Sequence, residues 1–187
     1  MRKEAILSLS GNPNSGKSSI ATHLAAKYGF TIFRPSGLIK EYAAARALPL
    51  IERRDYINAH IQMIDEYGER YVIDTITAMP GTRLCVDGER IPAHIEGLRE
   101  LGAKVMAFWC PQELRFERSL LRGELRDKPS RHAFAQDEAR EYCSNERPYT
   151  SVMTIMQIAD YHIDASQPPS IVIQTVVQHV DRLLGLA

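Results

Sequence analysis

Short apolar runs alternate along the chain with longer stretches in which apolar residues recur at helical spacing. The first pattern is that of buried strands and the second that of amphipathic helices. Their alternation predicts βα units feeding a mostly parallel sheet. Strands are predicted over Ala5 to Leu9, Thr31 to Arg34, Leu84 to Val86, Val105 to Trp109 and Tyr161 to Ile163. Helices are predicted over Lys17 to Lys27, Leu38 to Arg46, Arg53 to Tyr67, Ala93 to Leu101, Glu113 to Arg122 and Ser170 to Leu184. Two stretches fit the alternation poorly. Gly37 to Thr82 puts several helices where a crossover needs one, and Gly123 to Tyr149 is charged and arginine-rich, with Lys128-Pro129-Ser130 breaking it. Helical and polar material added beside a sheet commonly grips or covers a substrate, although plain solvated helices would read the same.

Composition narrows the class without naming an activity. A length of 187 residues suits one domain with a sizeable core, so residues 1–187 are read as a single domain. The hydrophobic fraction of 44% and charged fraction of 25% are those of an ordinary globular protein, neither disordered nor membrane-spanning. Lys plus Arg equals Asp plus Glu at 23 each, so no net field draws the chain toward nucleic acid or an anionic membrane, and only a local basic cleft stays open. The apolar run near Met1 is too short for a signal peptide, and no segment reaches the roughly 18 apolar residues of a membrane helix. Cys85, Cys110 and Cys143 are far apart and without C-x-x-C spacing, which indicates neither a disulfide framework nor a zinc site. A cytoplasmic protein, monomeric or homodimeric, is the resulting expectation.

The stretch Gly11-Asn12-Pro13-Asn14-Ser15-Gly16-Lys17-Ser18 matches the phosphate-cradling pattern G-x-x-x-x-G-K-[ST], and it lies between a predicted strand and a predicted helix, as its mechanism requires. Gly11 and Gly16 can take backbone angles that let successive N–H groups converge on phosphate oxygens, and the helix opening at Lys17 adds its dipole. Lys17 would reach the β and γ phosphates, the Ser18 hydroxyl a magnesium ion and Ser19 the α phosphate. ATP or GTP binding follows; the kind of P-loop protein does not.

Later segments bear on that choice. Asp87 ends a predicted buried strand, where an acid can hold magnesium through water, and Arg90 follows in position to grip a phosphate in bidentate fashion. An Asp-Gly turn with a surface arginine is the plainer alternative. Arg115, Arg118, Arg122 and Arg126 fall on one face at helical period. Glu113, Glu117 and Glu124 can neutralise such a face as on any surface helix. That reading is preferred for Arg115, and phosphate contact is preferred for Arg122 and Arg126.

In order along nearly the whole chain, the P-loop, Asp87-Gly88-Glu89-Arg90, Arg115-Phe116-Glu117-Arg118 with Arg122-Gly123, and Ala159-Asp160-Tyr161-His162-Ile163-Asp164 resemble the nucleoside monophosphate kinase group. Within it, the dephospho-CoA-kinase-like and archaeal predicted nucleotide kinases are most similar. The resemblance implies a three-layer α/β P-loop kinase fold with a five-stranded parallel sheet. It also implies a helical acceptor-binding insert over residues 37–82 and a short lid over 123–149. The implied reaction is ATP- and magnesium-dependent transfer of a γ-phosphoryl group to a small phosphorylated acceptor, a nucleoside or deoxynucleoside monophosphate. By position, Arg90 would hold the acceptor phosphate, with Lys40 and Arg54 as further acceptor contacts. Arg122 and Arg126 would hold the transferring phosphoryl, and the Asp164 to Gln167 loop would lie near the adenine.

The stretch Pro35-Ser36-Gly37-Leu38-Ile39-Lys40 departs from the family pattern: the usual acid is missing and Lys40 stands where an arginine would be. That disfavours dephospho-CoA, whose hydroxyl benefits from a general base. Dephospho-CoA or a modified nucleotide within DNA remains an alternative acceptor, and a regulatory nucleotide-binding module an alternative class. No Asn-Lys-x-Asp guanine-reading motif is present. His60, His94 and the other histidines share no metal-binding spacing, and Trp109 is read as core.

Overall fold

The computed structural model describes residues 3–51, 53–123, 130–142, 144 and 149–186. The run Ala5–Gly11 is buried along its whole length because it forms the central strand, β1, with a parallel neighbour on each side. From it the chain continues through α1 (Lys17–Tyr28), β2 (Thr31–Phe33), α2 (Pro35–Ala45), α3 (Arg53–Tyr67), α4 (Tyr71–Ala78) and β3 (Arg83–Asp87). It then forms α5 (Pro92–Glu100), β4 (Lys104–Trp109), α6 (Gln112–Arg122), α7 (Arg131–Tyr142), α8 (Val152–Ile158), β5 (Tyr161–Asp164) and α9 (Pro169–Leu183). All strand pairs are parallel, in the order β2-β3-β1-β4-β5. The five-stranded parallel sheet and the α/β class are as expected.

Local chemistry sets the helix ends. Proline at the first helical position opens α2, α5 and α9, where its missing N–H costs nothing. Gly29 closes α1 in the left-handed conformation and donates to the Ala25 carbonyl. The Ser151 hydroxyl caps α8 by accepting from the Thr154 N–H at 3.2 Å.

Alternate residues of β1 feed two cores, one on each face of the sheet. Ala5, Leu7 and Leu9 pack with Leu24, Met106, Phe108, Val176 and Val180 of α1, β4 and α9. Ile6 joins the opposite core with Ile39, Met63, Ile76, Val86, Ile95 and Ile155 of α2, α3, α4, β3, α5 and α8. The strand order reverses beside β1, so the crevice at the carboxyl ends of β1, β3 and β4 is where such a sheet receives a ligand. The helices α2, α3 and α4 lie between β2 and β3 and account for the stretch that did not fit simple alternation, α2 beginning two residues before it at Pro35. Helix α4 escapes the periodicity argument because Val72, Ile73, Thr75, Ile76 and Thr77 favour strand locally; burial of Tyr71, Val72, Ile73 and Ile76 makes it a helix.

Candidate nucleotide and acceptor site

Gly11 ends β1 at φ 114°. A β-carbon there would stand 2.3 Å from the Phe108 carbonyl oxygen and 2.6 Å from its nitrogen, so only glycine lets β1 and β4 approach at this point. The loop then curls back on itself. The Asn12 N–H donates to the Phe108 carbonyl at 3.1 Å, the Asn12 side-chain oxygen accepts from the Cys110 N–H at 3.4 Å, and the Ser15 hydroxyl donates to the Asn12 carbonyl at 2.8 Å. Asn14 and Gly16 have φ of 58° and 88°, the left-handed turns that point successive N–H groups to one side. Lys17 Nζ folds over the loop, 3.1 Å from the Gly11 carbonyl, 2.5 Å from the Asn12 carbonyl and 3.2 Å from Ser15 Oγ. Pro13 is buried, whereas Gly16, Ser18 and Ser19 are exposed at the mouth. The Asn14 amide nitrogen is buried without a hydrogen-bond partner, a donor that an anionic oxygen would satisfy.

Asp87 pairs in register with Leu9, two residues before the P-loop begins. Its carboxylate is buried and accepts from Arg34 Nε at 3.0 Å, across from the end of β2. Ser18 and Asp87 offer a hydroxyl and a carboxylate, hard oxygen donors of the kind magnesium takes together with phosphate oxygens and water. Among the described residues no group of three or more His, Cys, Asp or Glu side chains is placed to hold a metal ion.

The turn after Asp87 is tightly held. The Gly88 N–H donates to the Leu9 carbonyl at 2.9 Å, and the Ser10 hydroxyl to the Glu89 carbonyl at 2.7 Å. The N–H groups of Arg90 and Ile91 donate to Glu89 Oε1 at 2.8 and 3.0 Å, and the Arg90 carbonyl accepts from the Ser151 N–H at 2.9 Å. Helices α2, α3 and α4 line an open cavity of about 470 Å³, with Leu38, Tyr42, Met63, Tyr67, Tyr71 and Asp74 among its walls. That volume lies within the roughly 300–1,000 Å³ of small-molecule sites. A second cavity of about 530 Å³ opens between Asn12, Trp109, Gln112 and α7.

No protein-family model matches the chain. In sequence it is similar to a cytidylate kinase of Methanocella arvoryzae, 28% identical over 165 residues that cover 87% of this chain and 88% of that one. In structure it is similar to TT1252 from Thermus thermophilus, at a TM-score of 0.67 and 13% identity over 97% of this chain and 98% of that one. A gluconokinase from Sinorhizobium meliloti matches at a TM-score of 0.57 and 14% identity over 99% and 96% of the two chains. A shikimate kinase from Aquifex aeolicus matches at 0.54 and 17% identity over 96% and 99%. The fold is that of the P-loop kinases. With the sequence relative, these neighbours support an enzyme, a kinase of nucleotides or small molecules.

Of the residues expected at the kinase site, Gly11 to Ser19 and Asp87 gather at the carboxyl edge of the central strands, and Arg90 follows on the turn after β3. Lys40 and Arg54 are exposed on α2 and α3 and do not line the cavity between those helices. Arg122 is exposed as the last residue of α6, and Arg126 lies outside the described residues, as does Cys143. Arg115 corrects the surface-helix reading. It is buried, donates from Nη2 to Glu138 Oε2 of α7 at 2.9 Å and from Nε to the Cys110 carbonyl at 2.7 Å, and so joins α6 to α7. Arg118 donates to the Ala165 carbonyl at 3.0 Å, bracing the loop after β5. In that loop the hydrogen bonds from Ser166 and Gln167 hold the Asp164 carboxyl below its usual pKa. Trp109, expected in the core, is 49% exposed, because it is the last residue of β4 and lines the second cavity.

Proposed function

We propose that the chain transfers the γ-phosphoryl group of ATP, with magnesium, to a nucleoside or deoxynucleoside monophosphate, and that cytidine monophosphate is its first acceptor to test. One observation carries the reading: a P-loop with a buried donor that has no partner, Asn14 Nδ2, shares the carboxyl edge of the central strands with Asp87, Arg90 follows on the turn after β3, and three helices of the insert line a ligand-sized cavity. The relative named as a cytidylate kinase supports the acceptor class.

In this scheme the Gly11 to Ser18 backbone cradles the β and γ phosphates, and Lys17 exchanges its carbonyl contacts for their oxygens. Ser18 and Asp87 would hold a magnesium ion, which would supply charge neutralisation to the phosphates. Arg90 holds the acceptor phosphate, whose oxygen attacks the γ-phosphorus as ADP leaves. Arg122 and Arg126 neutralise the transferring group. A phosphate acceptor is already anionic, so no side-chain base is required. Positioned cations supply most of the acceleration.

ADP release from ATP is to be measured with each ribonucleoside and deoxyribonucleoside monophosphate, dephospho-CoA and a short DNA duplex. Stimulation by monophosphates, cytidine monophosphate foremost, is expected. Stimulation by dephospho-CoA or DNA alone would move the acceptor to that class, and slow ATP hydrolysis that none of them stimulates would leave a regulatory ATPase.

A further inference from the structure

Four polar side chains meet between the Arg90 turn and the helices α3 and α4, and the transfer scheme uses none of them. Glu89 and His94 are 2% and 3% exposed, and Tyr71 and His60 are buried beside them. His94 Nδ1 lies 3.2 Å from Glu89 Oε1, at ion-pair distance but without hydrogen-bond alignment. Its Nε2 faces the Glu69 carbonyl, in the turn between α3 and α4, at 3.0 Å. The Tyr71 hydroxyl and His60 Nε2 are 2.7 Å apart, and the Tyr71 ring stands edge-on to His94 with centroids 5.8 Å apart.

Stability does not account for this arrangement. A buried ion pair is commonly matched or bettered by apolar side chains of similar volume. Here Glu89 Oε2 is moreover buried without a hydrogen-bond partner, which costs folding free energy. What the pair does have is reach. Glu89 fixes the backbone of Arg90 and Ile91 through Oε1, and its carbonyl is tied to Ser10, next to the P-loop. His94 extends the same frame to Glu69, at the foot of α4, whose first residue, Tyr71, lines the cavity. A carbonyl accepts, so Nε2 carries a proton, and Nδ1 faces a carboxylate; both ring nitrogens are used. Burial alone would lower the His94 pKa, but the Glu89 carboxylate and the Glu69 carbonyl outweigh it and hold it above the ordinary value.

We propose that His94 is a positioning residue, a strut between the Arg90 turn and the α3–α4 turn that keeps the phosphate grip and the acceptor cavity at a fixed separation. The proposal rests on the acceptor reading of Arg90 and the cavity given above. A misplacement of about 1 Å can cost a reaction about a hundredfold. The strut spans the acceptor side, so its loss falls on the acceptor and leaves the nucleotide site in place.

The test compares wild type, Glu89→Gln/His94→Leu and Glu89→Gln/His94→Gln. Both variants remove the two charges so that none is left buried alone, and the second keeps an N–H donor toward Glu69. Amide hydrogen exchange is followed at residues 68–71 and 88–91, alongside steady-state kinetics with ATP and the acceptor. In the leucine variant we expect exchange at both turns to quicken about tenfold while α1 and α9 stay as in wild type. The KM for the acceptor should rise about tenfold or more, with the KM for ATP within about twofold, and Glu89→Gln/His94→Gln should recover most of that loss. Unchanged exchange at residues 68–71 overturns the strut. So does a parallel rise in both KM values, or a lowered melting temperature with wild-type kinetics, which marks a structural role only. If wild type phosphorylates no acceptor, the functional reading fails by itself, and the exchange data still decide whether His94 joins the two turns.

Discussion

The two glycines of the P-loop differ in what a methyl group would meet, and this makes their alanine variants a quantitative test of the site's geometry. At Gly16, φ is 88° and nothing lies within 4 Å of a built β-carbon. Gly16→Ala therefore carries only the left-handed strain of about 1–2 kcal/mol, partly offset by the lower entropy of the unfolded chain, about 0.4–1 kcal/mol. A net loss near 1 kcal/mol lowers the melting temperature of a chain this size by about 2–4 °C. At Gly11, φ is 114° and the β-carbon would meet the Phe108 carbonyl oxygen at 2.3 Å. That atom belongs to a central strand in register with Gly11 itself, and Phe108 is fully buried, so neither side can yield cheaply. Separating β1 from β4 by about 1 Å also disturbs the Asn12 hydrogen bond to the same carbonyl. The loss should exceed about 4 kcal/mol, the range reserved for backbone clashes and core disruption. That corresponds to a fall of more than about 8 °C. Thermal melting followed by circular dichroism, with a urea titration to check that the slope is unchanged, measures both. If the two variants melt within about 3 °C of each other, the close approach of β1 and β4 at Gly11 is wrong.

Three further outcomes are expected. Lys17→Ala should lower kcat/KM by about a hundredfold or more with the melting temperature nearly unchanged, since Nζ lies against the P-loop oxygens of Gly11, Asn12 and Ser15 and not in the apolar core; wild-type turnover would remove Lys17 from the mechanism. Glu138→Ala leaves the buried Arg115 guanidinium without its carboxylate and should cost about 3–5 kcal/mol in urea unfolding, whereas Arg115→Leu/Glu138→Leu should recover much of it. Burial holds the His60 pKa down to about 4, with Glu89 opposing and His94 adding to the shift, so the unfolded chain takes up its proton first as pH falls. The His60 contribution is therefore whole above about pH 6.5 and is lost progressively toward pH 4, by about 2–3 kcal/mol. A His60→Gln variant with the same acid slope as wild type in urea titrations would refute it.

What the sequence discloses depends on how far apart the interacting residues stand in the chain. The strands are legible because each is a local apolar run, and the P-loop because eight consecutive residues supply its whole cradle. Beyond the local hydrogen bonds within the P-loop and within the Glu89 turn, however, the site is held by pairings over long separations. Arg34 reaches Asp87 from the end of a neighbouring strand, and no spacing rule connects them. Arg115 reads as a surface arginine because its own helix offers glutamates, yet its partner, Glu138, sits on another helix. The cluster of Glu89, His94, Tyr71 and His60 draws on three helices and a turn, and no spacing rule in the sequence connects its members. The P-loop is thus supplied by consecutive residues, whereas the proposed acceptor side depends on contacts between distant segments. Substitutions in Gly11 to Ser18 should act where they are made, whereas a change at His94 should be felt across the Arg90 turn and the cavity together, which is the asymmetry that the paired exchange and kinetic measurements resolve.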